Sequence, residues 1–422
     1  MIDRPNRHKT IISLAMTVSI LVLASCSGGG SSGSGGVAVV PSAPTPSPTP
    51  TPTPTPITAV NAQAVATFVA PWSMAFLPDG RILVTERPPT ATVANPVESG
   101  RLHIVTQAGV VSAPLTGLPD NVGLLDVVLD PAYGSNRTIY ISFMERDPAA
   151  ARFGRNASDA TVDPAGLAVA RVVLSSAAND VVSATVIWRQ FPKVVAFAGS
   201  GEPGGRMAFS PDGNYLFIAA GDRQEFEPVQ SLDNTLGKIV RIFPDGRIPT
   251  DNPFVGRAGA KPEIWTLGHR NPYGLAFNAS GQLWENEHGP KGGDEFNLIK
   301  PGANYGWPNV SYGDNYDGGL IPKPAPGDGF AMSALFWTPS VAPSGLIFYS
   351  GSLFADWRGD AIVSGLQSKG LIRVRTSGEA AAEVQRLDLG ARIRSIVQGP
   401  DGSLWVLEDQ PTGRLLKLTP SG

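Results

Sequence analysis

The stretch Phe209-Ser210-Pro211-Asp212-Gly213, followed at 215–222 by YLFIAAGD, is the unit on which the fold reading turns. Proline presets φ, aspartate bonds its own backbone and glycine accepts the positive φ of a tight turn, so two apolar strands meet here in a hairpin. The same pattern recurs at 75–80 (AFLPDG) before RILVTE, 128–132 (VLDPA) before TIYISF, 277–281 (FNASG) before QLWENE, 347–351 (IFYSG) before AIVSGL and 398–402 (QGPDG) before SLWVLED. Hairpins alone would also suit a sandwich. Six recurrences at intervals of roughly 50 to 80 residues predict an all-β fold, a six-bladed β-propeller of four-stranded blades spanning 60–422. Propellers bind ligands along the central axis, so the long segments between repeats, 146–205 and 281–337, are where chemistry is expected.

Ahead of this domain, Arg4, Arg7, His8 and Lys9 precede an apolar run over 11–23 and the small residues Ala24 and Ser25, the pattern of an export signal over 1–25. The apolar run falls short of the roughly 20 residues that a permanent membrane helix needs. Cys26, the single cysteine, follows Leu23-Ala24-Ser25 and so resembles a lipobox, where the cysteine is acylated. No internal disulfide is available to the domain. Residues 26–58 are Gly/Ser-rich and then Pro/Thr-rich, a tether that buries no apolar surface. Ser27 after the cysteine resembles outer-membrane sorting, which places the domain in the cell envelope, lipid-anchored and facing the periplasm. A formal net charge of -3 with interspersed signs argues against a nucleic-acid partner.

Within the second long segment, 285–308 reads ENEHGPKGGDEFNLIKPGANYGWP, with adjacent Asp294 and Glu295 after a Gly-rich turn and Tyr305 beyond. Carboxylates and exposed carbonyls suit a hard cation such as Ca²⁺; a solvated acidic turn is the alternative. Upstream, 265–277 (WTLGHRNPYGLAF) places Arg270 and Asn271 at a strand start. A planar guanidinium and an amide there suit a carboxylate or phosphate, or simply bond loop carbonyls. Arg392 and Arg394 alternate at strand period and share one face, which calls for an anionic ligand or for solvent. His103, His269 and His288 read as strand or loop residues. Within 60–422 there is no G-x-S-x-G sequence and no cysteine, so hydrolase mechanisms based on a motif serine or a cysteine have nothing to stand on.

In order along the domain, PWSMAFLPDGRILVTERP, GLLDVVLDP, GHRNPYGLAF, EHGPKGGDEFNLIKPGANYGWP, TPSVAPSGLIFY and RIRSIVQGPDG resemble the soluble pyrroloquinoline quinone (PQQ)-dependent sugar dehydrogenases, the glucose/sorbosone dehydrogenase family. The resemblance implies a PQQ cofactor over the axis, assisted by Ca²⁺, and a sugar substrate whose electrons pass to an acceptor the sequence does not name. It matches Arg270, Asn271, Arg392 and Arg394 to cofactor contacts, the carbonyls of Gly289 and Pro290 to the Ca²⁺ at the cofactor, and Glu295 and Tyr305 to a second Ca²⁺ site. Asn121 stands where the family has a Gln, and Ser340 where it has a cofactor-contacting Thr. The family's catalytic His is replaced by Glu202 in SGEPGGR, expected as the base that takes the alcohol proton. For the family's Lys near the quinone, Gln367 is the match, with Lys369 two residues on. Two other readings stand beside this one: a non-catalytic propeller, Ca²⁺-stabilised and binding a glycan or protein, and a Ca²⁺-dependent lactonase. Monomer and homodimer are both open.

Overall fold

The computed structural model describes residues 58–87, 99–195 and 201–421. The export signal, Cys26 and all of the tether but its last residue lie outside them. The expected architecture is present: six antiparallel sheets stand as blades around one axis, with helix confined to single turns such as Tyr133–Asn136.

Each blade begins with a six-residue inner strand: Pro71–Phe76, Leu124–Leu129, Gly204–Phe209, Pro272–Phe277, Pro343–Phe348 and Ile393–Gln398. All six share one burial pattern, four buried residues then two half-buried ones. Each inner strand contacts the next around the ring, which closes from Ile393–Gln398 back to Pro71–Phe76. The six turn units lie between inner and second strands, as their sequences require. The second strands, for example Ile82–Glu86 and Leu404–Glu408, are buried throughout because a blade packs on each face. A hydrophobic cluster fills every blade interface, such as Phe217, Ile239, Leu275 and Leu283 between the third and fourth blades.

Five blades are four-stranded sheets. In the first, Pro71–Phe76, Ile82–Glu86 and Arg101–Val105 pair, and the fourth position is taken by a segment held by the single bridge Val105–Val111. The last blade is completed by the start of the domain: Val60–Val69 runs antiparallel to Thr412–Pro420 from Val60↔Pro420 to Val69↔Thr412. This joins the two ends of the domain through a β-ladder, so the ring opens only if that ladder melts.

The third residue of each inner strand faces the axis: Ser73, Asp126, Arg206, Gly274, Gly345 and Ser395. Gly274 is needed for space, since a Cβ there would lie 2.2 Å from Asn286 Nδ2. Arg206 crosses the axis. Its Nη1 donates to Asp126 Oδ1 (3.1 Å) and Ser73 Oγ (3.0 Å), its Nε to the Tyr273 carbonyl (2.8 Å) and its Nη2 to the Arg394 carbonyl (3.0 Å). Trp72 stacks over the guanidinium at 4.2 Å. Asp126 also accepts the Met207 N–H at 2.9 Å, so one buried ion pair ties together five blades. Toward the far ends of the inner strands the axis widens into a cavity of about 340 Å³.

Removing one partner of a buried ion pair strands the other charge, at a cost of about 3–5 kcal/mol. Arg206→Met is therefore expected to lower the thermal midpoint sharply, and the double variant Arg206→Met/Asp126→Asn to recover much of the loss. Equal melting of both variants by calorimetry would show that the stranded Asp126 charge is not what costs stability.

Candidate functional site at the axial face

The six inner strands start at one face of the propeller, and the second strands end there. Residues just before an inner strand or just after a second strand consequently converge. The first group supplies Glu202, Arg270, Asn271 and Arg392; the second supplies Arg87, Asp222, Arg223, His288 and Asp409. In each blade a register shift near the start of the inner strand breaks the regular ladder with the second strand at this face. Bulges of this kind re-aim side chains at sheet ends.

Arg270 is the hub. Its guanidinium is ion-paired with Glu202, its Nη1 donates to the Gly289 carbonyl at 2.9 Å, and its backbone N–H donates to Glu287 Oε2 at 2.5 Å. Burial opposes its charge, but Glu202 and Asp222 outweigh that and hold the guanidinium above its ordinary pKa. Asn271 is brought alongside: its Oδ1 accepts the Gly204 N–H at 3.2 Å and its Nδ2 faces His288 Nδ1 at 3.5 Å. Asp222 accepts from Trp307 Nε1 at 2.7 Å, and burial together with the Glu202 carboxylate pushes its pKa well up.

Arg392 and Arg394 do share a face, but their counter-charge is within the protein. Asp409 accepts from both, at 2.7 Å each, and burial notwithstanding, Arg394 and Arg392 hold its carboxyl below the usual range. Arg394 Nη1 remains buried without an acceptor among the described residues. Besides the ligand or solvent expected for the pair, the fold supplies Asp409, the first residue past a second strand, which gave no signal at a distance of 15 to 17 residues.

Several expected contacts are spent on the scaffold. Asn121 Oδ1 accepts the Gly100 N–H at 2.7 Å and the Gly123 N–H at 3.1 Å, and its Nδ2 donates to the Pro119 carbonyl. Ser340 donates to Asp294 Oδ2 at 2.7 Å. Asp294 also accepts from the backbones of Gly289, Val341 and Ala342, so it pins the Gly289-Pro290 loop to the fifth blade. Gln367 and Lys369 sit exposed in the turn between Ala361–Gly365 and Gly370–Ser377.

Glu295 and Tyr305 line one small cavity with Glu287. Around it the structure gathers Glu285, Glu287 and Glu295, with Asn297 Nδ2 at 3.2, 3.4 and 3.2 Å from the three. Burial and the Glu287 charge push the Glu285 and Glu295 carboxyls well above the ordinary range. Glu285 Oε1 and Asn297 Oδ1 have no partner among the described residues. Tyr305 stacks on His269, whose Nδ1 lies 3.0 Å from Glu287. The period-2 placement of Glu285, Glu287 and Glu295-Asn297 on paired strands was the available signal for this cluster.

His288, read from sequence as an ordinary loop residue, stands at the centre. Its Nε2 bonds the Pro343 carbonyl at 2.9 Å and its ring meets Tyr273 edge-on. Burial, then the charges of Arg394 and Arg270, pull its pKa to about 3, so the imidazole is neutral. Sequence reasoning also missed Arg223, buried at 1 % exposure and drawn down to about 10 by burial and by Arg87.

A face this rich in buried arginines, closed below by Arg206, suits a flat anionic ligand. The model of the family described as "Glucose / Sorbosone dehydrogenase" matches residues 68–417. An aldose sugar dehydrogenase of Escherichia coli is 39% identical over 362 residues, covering 83% of this chain and 90% of its own. The crystal structure of the soluble aldose sugar dehydrogenase of that organism in the apo-form superposes with a TM-score of 0.76 at 37% identity, over 86% of this chain and 100% of the other. The PQQ-bound form of an aldose sugar dehydrogenase from Streptomyces coelicolor gives 0.64 at 26% identity, over 86% and 99%. The chain belongs to the glucose/sorbosone dehydrogenase family, the sugar dehydrogenases built on this propeller.

Proposed function

We propose that this protein is an exported, lipid-anchored dehydrogenase that oxidises aldoses, with PQQ seated on the axial face and Ca²⁺ beside it. The observation that carries the reading is the set of buried guanidinium donors without acceptors among the described residues, on Arg223, Arg270 and Arg394, at the mouth of one axis. Unpaired buried charge is costly, and an anionic cofactor with several carboxylates removes that cost. A neutral glycan would not, which disfavours the non-catalytic reading.

The residues present fit such a group. Arg270, Asn271 and Arg394 would hold its acidic edge, with Arg392 supporting through Asp409, and the Gly289 carbonyl, already turned toward Arg270, offers with Pro290 the neutral oxygens that Ca²⁺ accepts. The chemistry supplied by the bound quinone is two-electron acceptance from the anomeric carbon of the sugar, with Ca²⁺ as Lewis acid. The protein's part is to receive the hydroxyl proton. What supports Glu202 in this role is that Oε1 pairs with Arg270 and Oε2 is buried with no donor among the described residues, with the Asp222 carboxyl, pushed up by burial and by Glu202, beside it. His288 does not compete, because Pro343 and Asn271 engage both ring nitrogens and so make it a positioning residue. The carboxylate cluster of Glu285, Glu287 and Glu295 beside Tyr305 would take a second, structural Ca²⁺, for which Glu285 Oε1 and Asn297 Oδ1 are unspent donors.

Loading the full-length protein with Ca²⁺ and PQQ and adding a panel of aldoses should bleach the oxidised-quinone absorbance; tight binding without reduction by any sugar would end the dehydrogenase reading. Glu202→Gln is expected to bind PQQ within about threefold of wild type and to lose turnover by about 10² or more, the usual contribution of a general base. Normal turnover removes Glu202 from the reaction. Stripping Ca²⁺ with EGTA should lower the thermal midpoint even without PQQ, and Glu285→Gln should shrink that shift. Cys26→Ala should release the protein from the membrane fraction, whereas continued membrane association would exclude acylation as the anchor.

A further inference from the structure

Beside Glu202 and Arg270 a cavity of about 340 Å³ opens, lined also by Arg155, Arg223, Gln224, Glu225, Phe226 and Tyr316. Four non-glycine residues on its wall have left-handed backbones: Glu202 (φ 51°), Arg223 (58°), Gln224 (65°) and Phe226 (34°). Such conformations are strained and persist where surrounding contacts impose them, commonly at ligand sites. Those contacts are visible. The Arg223 N–H donates to the Glu202 carbonyl at 3.3 Å and its Nη1 to the Gly201 carbonyl at 2.6 Å. From the opposite wall the Arg155 N–H donates to Glu225 Oε2 at 2.8 Å, its guanidinium covers Phe226, and a side chain at Gly154 would strike Glu225 at 2.5 Å.

The result is a guanidinium held rigidly in one orientation. Arg223 is almost wholly buried, and its Nη1 is fixed by Gly201. Nε and Nη2 have no hydrogen-bond partner among the described residues. These two donors form the side-on edge of the fork, the edge that takes a carboxylate through two parallel bonds. Of the two carboxylates on the wall, Glu202 is already paired with Arg270 and Glu225 with the Arg155 backbone, and the neighbouring Asp222 accepts from Trp307.

We propose that the Nε/Nη2 edge of Arg223 is a carboxylate-binding site within the reaction cavity, one that the family motifs do not mark. It rests on the dehydrogenase reading above for its ligand, which is a carboxylate of the quinone cofactor or of an acidic sugar such as a uronate. In the first case Arg223 supplies a cation at the cofactor where the exposed Gln367 supplies none; in the second it selects anionic aldoses over neutral ones.

The test compares full-length wild type, Arg223→Gln and Arg223→Lys, each with Ca²⁺. PQQ affinity is measured by absorbance titration, and the ratio of kcat/KM for D-glucuronate to that for D-glucose by steady-state kinetics. If the cofactor is the partner, both variants lose at least tenfold in PQQ affinity with the sugar ratio unchanged. If an acidic sugar is the partner, PQQ affinity is kept and the ratio falls at least tenfold. Lysine keeps the charge without the fork, so its failure to rescue identifies bidentate binding. Thermal midpoints without PQQ at or above the wild-type value show that Arg223 is no structural prop, and if Arg223→Gln does not fold, Arg223→Lys decides. Affinity and ratio both within twofold of wild type overturn the proposal. Should wild type bind no PQQ, the dehydrogenase reading fails by itself; calorimetric titration with D-glucuronate then decides Arg223, a wild-type signal lost in Arg223→Lys supporting the site and no signal overturning it.

Discussion

The buried pair of Arg206 and Asp126 is the constraint around which the propeller is organised. At the middle of the six inner strands the axis is closed by polar side chains. One guanidinium spans it, bonding a carboxylate, a hydroxyl and two backbone carbonyls drawn from different blades. Because Arg206 needs Tyr273 and Arg394 to present their carbonyls in place, the same contacts fix the starts of the fourth and sixth inner strands. Those starts carry Arg270, Asn271 and Arg392.

Electrostatics at the axial face follow from that geometry. Charges from the starts of inner strands and the ends of second strands meet there: Glu202 and Arg270, both just before inner strands, pair with each other, and Asp409, just after a second strand, pairs with Arg392 and Arg394 at the start of an inner one. The pairing is incomplete. Buried donors on Arg223, Arg270 and Arg394 remain without acceptors among the described residues, and His288 stays neutral beside them. Buried unpaired guanidinium donors and strained backbone together suit an anion.

Much of the architecture was legible because turn chemistry is local. Pro-Asp-Gly and its variants specify a tight turn, and the six that join two apolar runs count the blades; the further turn Pro244-Asp245-Gly246 leads into no adjoining strand. The same locality explains what escaped. The strand Val60–Val69 carries only a weak pattern, yet it closes the ring, since its partner Thr412–Pro420 lies at the other end of the domain. Asn121 and Ser340 match ligand-contacting positions by motif, while their hydrogen bonds go to Gly100, Gly123 and Asp294.

By itself the sequence determined the repeat, the blade count, the family motifs and the residue types that face the axis, because each depends on a few neighbouring residues. Tertiary structure decided which charges meet. Asp409 neutralises two arginines, Glu202 is claimed on one side by Arg270, three glutamates share a single asparagine, and Arg223 keeps a buried edge unpaired among the described residues. Coulombic pairing acts through space over a few ångströms, between groups that the chain separates by tens of residues, so only the closed ring assigns partners.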